Sequence, residues 1–199
     1  MRAQPLELIA AAERGDAEAV RRALAAGAPL EARDERRRTA LMAAVQGNHL
    51  EVARLLIEAR ADVNAQDSLN DSPYLLAGAR GYLEILRLTL AHGADLKSTN
   101  RFGGTALIPA CERGHVETVK TLIEAGVEVD HVNRLGWTGL LEAIILSDGG
   151  PRHVEIVRLL IAARANVNLA DKDGIAPLSH ARQRGYREIE QLLVAAGAR

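Results

Sequence analysis

Apolar residues recur along this chain at spacings of three and four, in short runs interrupted by Gly or Asn. The stretches "LEVARLLIEA" (50–59), "LEILRLTLAH" (83–92), "VETVKTLIEA" (116–125) and "VEIVRLLIAA" (154–163) are each apolar at i, i+3, i+4 and i+7, the pattern of a helix with one face toward a core. Ahead of each lies another apolar run introduced by a hydroxyl or its equivalent. Thr39, Ser72, Thr105 and Thr138 are 33 residues apart; the same register falls on Leu6 at one end and, after 38 residues, on Ala176 at the other. The chain therefore reads as six repeats, the fifth with a five-residue insertion.

Each position in the repeat has a physical role. A Thr or Ser hydroxyl caps the free amides of a helix start, and Pro73 and Pro177 follow at the first helical position, where a missing N–H costs nothing. Nine residues after the cap stand Gly15, Asn48, Gly81, Gly114 and Gly185, residue types that accept left-handed geometry. The first helix is predicted to stop there and the chain to turn back into the second. The expected fold is all-α: six helix-turn-helix repeats with hairpin-like connecting turns, at approximately 1–33, 34–66, 67–99, 100–132, 133–170 and 171–199, in a single domain over 1–199.

A unit of this length containing "TALMAAVQGNHLEVARLLIEARADVN" resembles an ankyrin repeat, and the resemblance covers essentially the whole chain. "NRFGGTALIPACERGHVETV" through "HVNRLGWTGLLEAIILSDGGPRHVEIV" is also similar to small bacterial ankyrin proteins. The resemblance implies an ankyrin-repeat solenoid. The His of the family's "TPLH" signature, which ties neighbouring repeats by hydrogen bonds, is absent: Ile9, Met42, Leu75, Ile108, Leu141 and Ser179 stand there, so cohesion between repeats is expected to be more apolar. Arg60 and Arg164 replace the Gly found at the end of the other second helices (Gly27, Gly93, Gly126, Gly197), which predicts tolerated backbone strain beside a cation at a helix C-terminus. In the last repeat Arg182 and Glu190 replace the repeat-facing series Val45, Gly78, Cys111, Ile144 and Val20, Ala53, Leu86, Val119, Val157. A polar outer face is what a terminal repeat needs, so the array is expected to end there.

Composition changes this picture little. With 48% hydrophobic and 26% charged residues the chain is of ordinary globular type, and a net charge of −1 gives no reason to expect nucleic acid or an anionic membrane as partner. No apolar run approaches the roughly 18–20 residues that span a bilayer. Cys111 is the only cysteine, which fits a reducing compartment and a cytoplasmic protein, and the apolar start "MRAQPLELIAAA" is absorbed by the first repeat and not read as a secretory signal.

No catalytic or metal-binding constellation and no cofactor is expected. His49, His115 and His153 share one slot at the start of the second helix and are read as structural, while His92, His131 and His180 have no partner at ligand spacing. Cys111 reads as inert core. "SDGGPR" (147–152) lacks the strand and Lys of a phosphate loop; the insertion either is neutral or joins a binding site. In "EARDERRRT" (31–39) acidic residues interleave the arginines, as in a solvated turn.

The only Phe and the only Trp occupy the same hexapeptide one repeat apart, "NRFGGT" and "NRLGWT", beside turn residues and not in a core run. The resemblance implies that these extended tips and the first helices line a concave face, where family members usually bind other proteins. Leu69, Phe102 and Leu135, with Trp137, form the candidate apolar stripe, edged by Arg101 and Arg134; Trp and Arg are enriched at binding hot spots. The alternative for the rings is that they stiffen the array. Glu112 and Arg113 continue the same face, and Glu142 and His180 are expected to point into it. The expected function is non-enzymatic binding of another protein by a monomeric chain, centred on repeats three to five. An idealised or engineered scaffold without a partner, or a small-molecule sensor or enzyme, are the alternatives.

Overall fold

The computed structural model describes residues 5–199; the first four residues of repeat one, including Arg2 of the apolar start, lie outside the described residues. Among the described residues there is no strand. Twelve helices follow in order: α1 Pro5–Glu13, α2 Ala17–Ala25, α3 Ala40–Gln46, α4 Leu50–Glu58, α5 Pro73–Arg80, α6 Leu83–Ala91, α7 Leu107–Glu112, α8 Val116–Glu124, α9 Gly139–Ile145, α10 Pro151–Ala162, α11 Pro177–Arg184 and α12 Arg187–Ala195. Taken two by two they are the first and second helices of the six repeats.

The caps act as expected in three cases. Thr39 accepts the Met42 N–H at 3.2 Å, Ser72 the Leu75 N–H at 3.1 Å and Thr138 the Leu141 N–H at 3.2 Å. Thr105 departs from the expectation: its buried hydroxyl has no hydrogen-bond partner, and α7 starts later, at Leu107. The cause is Pro109. It lacks the N–H that would close the first turn onto the Thr105 carbonyl, so that carbonyl takes the tighter bond from Ile108 N–H at 3.3 Å.

Gly15, Gly81, Gly114 and Gly185 have φ between 70° and 72° and Asn48 has φ 54°, so the first helices end in the left-handed turn the spacing predicted. Arg60 and Arg164 are also left-handed, at φ 77° and 66°. In the fifth repeat the insertion lengthens the second helix, and His153 lies inside α10 where His49 and His115 stand just ahead of α4 and α8.

The described chain divides into two compact units, Met1–Ala77 with Tyr82–Arg101, and Gly78–Gly81 with Phe102–Arg199. In the first, α1 packs on α3 in one layer and α2, α4 and α6 follow one another in a second. The second repeats this with α7, α9 and α11 in one layer and α8, α10 and α12 in the other. Aliphatic residues fill the slots that the signature His would occupy: Met42, Ile108 and Leu141 are fully or almost fully buried. Histidines at the start of the second helices supply two of the hydrogen bonds between repeats. His49 Nε2 lies 3.1 Å from the Glu13 carbonyl and His153 Nε2 2.8 Å from that of Glu112. In the last repeat Arg182 Nε donates to Glu190 at 2.7 Å, an ion pair in the place of the apolar repeat-facing residues.

Candidate functional site

A recurring Asp or Asn five residues before the cap builds the tips. Its side-chain oxygen accepts two backbone N–H groups of the turn: Arg36 and Arg38 on Asp34, Leu69 and Asp71 on Asp67, Leu135 and Trp137 on Asn133, Asp173 and Ile175 on Asp171, at 2.8–3.1 Å. Backbone bonds close each turn, Asn133 N–H to the Trp137 carbonyl at 3.0 Å being one. A left-handed residue sits at each apex: Arg37, Asn70, Gly103, Gly136 and Gly174.

In the second compact unit Phe102 and Leu135 are 49% and 42% exposed on successive tips, and the Arg134 N–H donates to the Phe102 carbonyl at 2.9 Å. The exposed Arg134 lays its stem over Gly103, where an added Cβ would come within 2.9 Å of Cγ, and Lys172 covers Gly136 in the same way. Both tips are thus clamped to the next one by the stem of a cation. His131 Nε2, 2.7 Å from the Gly103 carbonyl, adds a further tie. Trp137 is half-buried. In the first unit Leu69 is 48% exposed on its own tip, held by the Ser68 N–H on the Arg36 carbonyl at 3.0 Å, and Arg101 is exposed.

Arg113 is exposed and its guanidinium donates to the Ala79 carbonyl at 2.8 Å; Glu112 beside it is half-buried. Glu142 and His180 do not point out into a face as expected. Glu142 is 5% exposed and accepts Asn133 Nδ2 at 2.8 Å, and His180, 7% exposed, meets Asp171 Oδ2 at 2.7 Å. Both stand nine residues after their tip Asn or Asp and brace it from beneath. The pairing is chemically matched, an acid under an amide and an imidazole under a carboxylate. The Ile175 N–H, ahead of the His180 contact, holds Asp171 below the usual carboxylate range. Burial, with Glu112 nearby, pushes Glu142 up to about 7, against the opposing hydrogen bond of Asn133.

"EARDERRRT" is more than a solvated turn. Arg38 is 8% exposed and joins Asp34 at 2.7 Å, Gln46 at 2.6 Å and Glu13 at 3.0 Å. Burial opposes the charge of Asp34, but the N–H groups of Arg38 outweigh it and hold the carboxyl low. The insertion is stitched down as well: the Tyr186 hydroxyl donates to the Ser147 carbonyl at 2.6 Å, the Tyr186 ring lies against Gly149, and Asp148 approaches His153 at 3.4 Å.

Sequence reasoning missed Val132 and Leu146, each 47% exposed, because neither lies on a helix face whose period would mark it as outward. It also missed the tip Asp/Asn series, whose 33-residue recurrence was a usable signal. Among the described residues no group of three His, Cys, Asp or Glu is placed to hold a metal ion. Cys111 is fully buried, and burial, with Glu142 adding, pushes its thiol above the usual range. No described helix is long and apolar enough to cross a membrane.

Comparison with known proteins agrees with this architecture. The family model described as ankyrin repeats (3 copies) matches residues 7–67 and 74–171. A putative ankyrin repeat protein of Escherichia coli (strain K12), YahD, is 55% identical over 58 residues, 29% of each chain. Among solved structures, an ankyrin repeat domain from Acinetobacter baumannii AYE is 64% identical with a TM-score of 0.94, the match covering 96% of this chain and 98% of that one. The ankyrin repeat domain of Bcl-3, a member of the IkappaB protein family, is 31% identical with a TM-score of 0.86, over 97% of this chain and 86% of that one. With its all-α hairpins, left-handed helix ends and hydrogen-bonded tips, the chain belongs to the ankyrin-repeat family and folds as an ankyrin-repeat solenoid.

Proposed function

We propose that this chain is a non-enzymatic interaction module that binds a partner protein through the turn tips and first helices of repeats three to five. Ankyrin repeats are in general modules of protein–protein interaction. The observation that carries the finer reading is the pair Phe102 and Leu135, about half exposed on tips held by other groups: the Asn133 side chain and backbone closure hold the tip of Leu135, and the Arg134 N–H and stem with His131 hold that of Phe102. An apolar ring and an isobutyl group about half exposed, with Arg134 between them in sequence, have the composition of a hot spot. Leu69, Arg101, Trp137, Glu112 and Arg113 belong to the proposed surface; Glu142 and His180 support it from below. The proposal assigns the chain one domain of six repeats, a monomeric state, no cofactor, no nucleic-acid or membrane ligand, and a reducing cytoplasmic setting, which the lone buried thiol supports.

The test separates binding from stiffening. Phe102→Ala, Leu135→Ala and Trp137→Ala are compared with Leu24→Ala, a control on the second-helix side, for thermal midpoint and for affinity to a partner recovered from native lysate. Binding anchors lose at least about 2 kcal/mol of affinity with little change in midpoint. Lowered midpoints with unchanged affinity in all three would reassign the tips as structural staples. Arg101→Glu and Arg134→Glu act on association rate and its salt dependence if they edge the site.

A further inference from the structure

The tip of repeat five is braced from beneath by a buried acid, Glu142. The Asn133 side chain organises that tip, since one oxygen receives both the Leu135 and the Trp137 N–H, at 2.9 and 3.1 Å. Its amide end is held from beneath by Glu142 at 2.8 Å, and both side chains are nearly inaccessible, 7% and 5% exposed. A neutral carboxyl can fill such a place with one accepted bond. A carboxylate there is largely stripped of water and receives one hydrogen bond, from Asn133 Nδ2, so ionisation favours any movement that lets solvent in. The movable part is the tip, because α9 is fixed between α7 and α11.

The charged and titratable groups around Glu142 do not supply a compensating ion pair. From α7 come Glu112, which disfavours its charge, Arg113, which favours it but extends to the Ala79 carbonyl, and the Cys111 thiol. From α11 the equivalent slot holds His180, engaged with Asp171. From α10 the buried His153 is engaged with the Glu112 carbonyl and Asp148, and Arg152 is exposed. On the tip itself His131 contacts the Gly103 carbonyl and Glu128.

We propose that Glu142 is a proton-responsive positioning residue for this tip: protonated, it locks Asn133 and the Leu135–Trp137 backbone in the ordered turn, and on losing its proton it releases them. Only the functional meaning of the movement rests on the interaction surface proposed above. The movement itself has a built-in reporter, since Trp137 is the only Trp of the chain.

The full chain is labelled with ¹³C at the Glu carboxyls, and the Glu142 signal, assigned by its absence from Glu142→Gln, is titrated from pH 5 to 9 in parallel with Trp137 fluorescence. The expected midpoint is near pH 7, consistent with burial beside Glu112. The Trp137 emission should shift to longer wavelength over the same interval, as the ring becomes wetter. Glu142→Gln keeps the bond to Asn133 without a charge to lose, so its Trp137 signal should stay flat, while His131→Gln should keep the shift. A Glu142 carboxyl that titrates in the usual range near 4.5 overturns the proposal. So does a Trp137 signal that ignores the titration, or a shift that survives in Glu142→Gln. None of these results bears on whether the tips bind a partner, so the two readings fail independently.

Discussion

Replacing Arg60 and Arg164 by Gly should make the protein more stable, although each change deletes a whole side chain. Both residues close a second helix in the left-handed region, at φ 77° and 66°. Gly27, Gly93, Gly126 and Gly197 occupy the same place at φ 75–92°, with nothing within 4 Å of where a Cβ would be. The hydrogen bonds do not differ: Arg60 N–H to Ile57 and Ala61 N–H to Leu56 are both 2.9 Å, against 3.0 and 3.1 Å for the same pair at Gly126 and Val127. Both arginines are exposed. What remains is backbone strain of about 1–2 kcal/mol for a side chain in this conformation, offset by about 0.3–1 kcal/mol for a cation at a helix C-terminus. The net gain on substitution is about 0.5–1 kcal/mol per site. At about 2–4 °C per kcal/mol for a chain of this size, the double variant should melt several degrees higher. Arg60→Ala serves as the internal control, because it keeps the strain and loses the cation, and it should melt slightly below wild type. Thermal and guanidinium midpoints of wild type, the two single Gly variants, the double variant and Arg60→Ala decide the matter. Gly variants with unchanged or lowered midpoints would refute the argument and point to contacts made by the arginines themselves.

Other consequences of the same geometry are open to measurement. Thr138→Val removes a cap and should cost about 1 kcal/mol, whereas Thr105→Val removes a buried hydroxyl without a partner and should be neutral or stabilising; equal losses in chemical unfolding would contradict the Pro109 explanation. Because Glu142 is raised from 4.5 to about 7 in the fold, the folded chain holds a proton there that the unfolded chain releases, so its contribution to stability falls as pH rises through this window and levels off above it. Glu142→Gln should therefore match wild type near pH 4 and exceed it above pH 7, by at most about 3.5 kcal/mol at ~1.4 kcal/mol per unit; a difference that does not vary with pH would argue against a buried neutral acid. Gly149→Ala meets both a left-handed φ of 66° and the Tyr186 ring, 2.5 Å from the new Cβ, and should destabilise by well over 1 kcal/mol, read by thermal midpoint.

Most of the fold was legible because a solenoid repeats its own evidence. Thr39 and Thr138 announce helix starts, and Gly15 through Gly185 announce their ends, so one misread position is corrected by its equivalents in other repeats. The exceptions are places where a neighbour in three dimensions decides. Thr105 has the right spacing for a cap, but Pro109 removes the N–H that would have closed the ordinary first turn. Arg38 looks like one more charge in a basic run, and only the approach of Glu13 and Gln46 turns it into a buried link. The candidate site was legible to the extent that tip residues were recognised as exposed: Phe102, Leu135 and Leu69 are. Glu142 and His180 were misplaced because a helix-one residue facing a tip can point outward or beneath it, and the sequence does not distinguish the two until Asn133 and Asp171 are seen to need a brace.

The interaction surface itself is tested most directly by photocrosslinking in native lysate, with a benzophenone side chain placed at Phe102 or Leu135 and, as control, at the exposed Glu117 of the second helix α8. The account predicts one discrete non-self polypeptide joined to positions 102 and 135 and not to 117. That product should be competed away by excess unlabelled wild-type chain and left untouched by the same excess of the Phe102→Ala, Leu135→Ala, Trp137→Ala triple variant. Equal labelling from position 117, or competition by the triple variant as strong as by wild type, would contradict it.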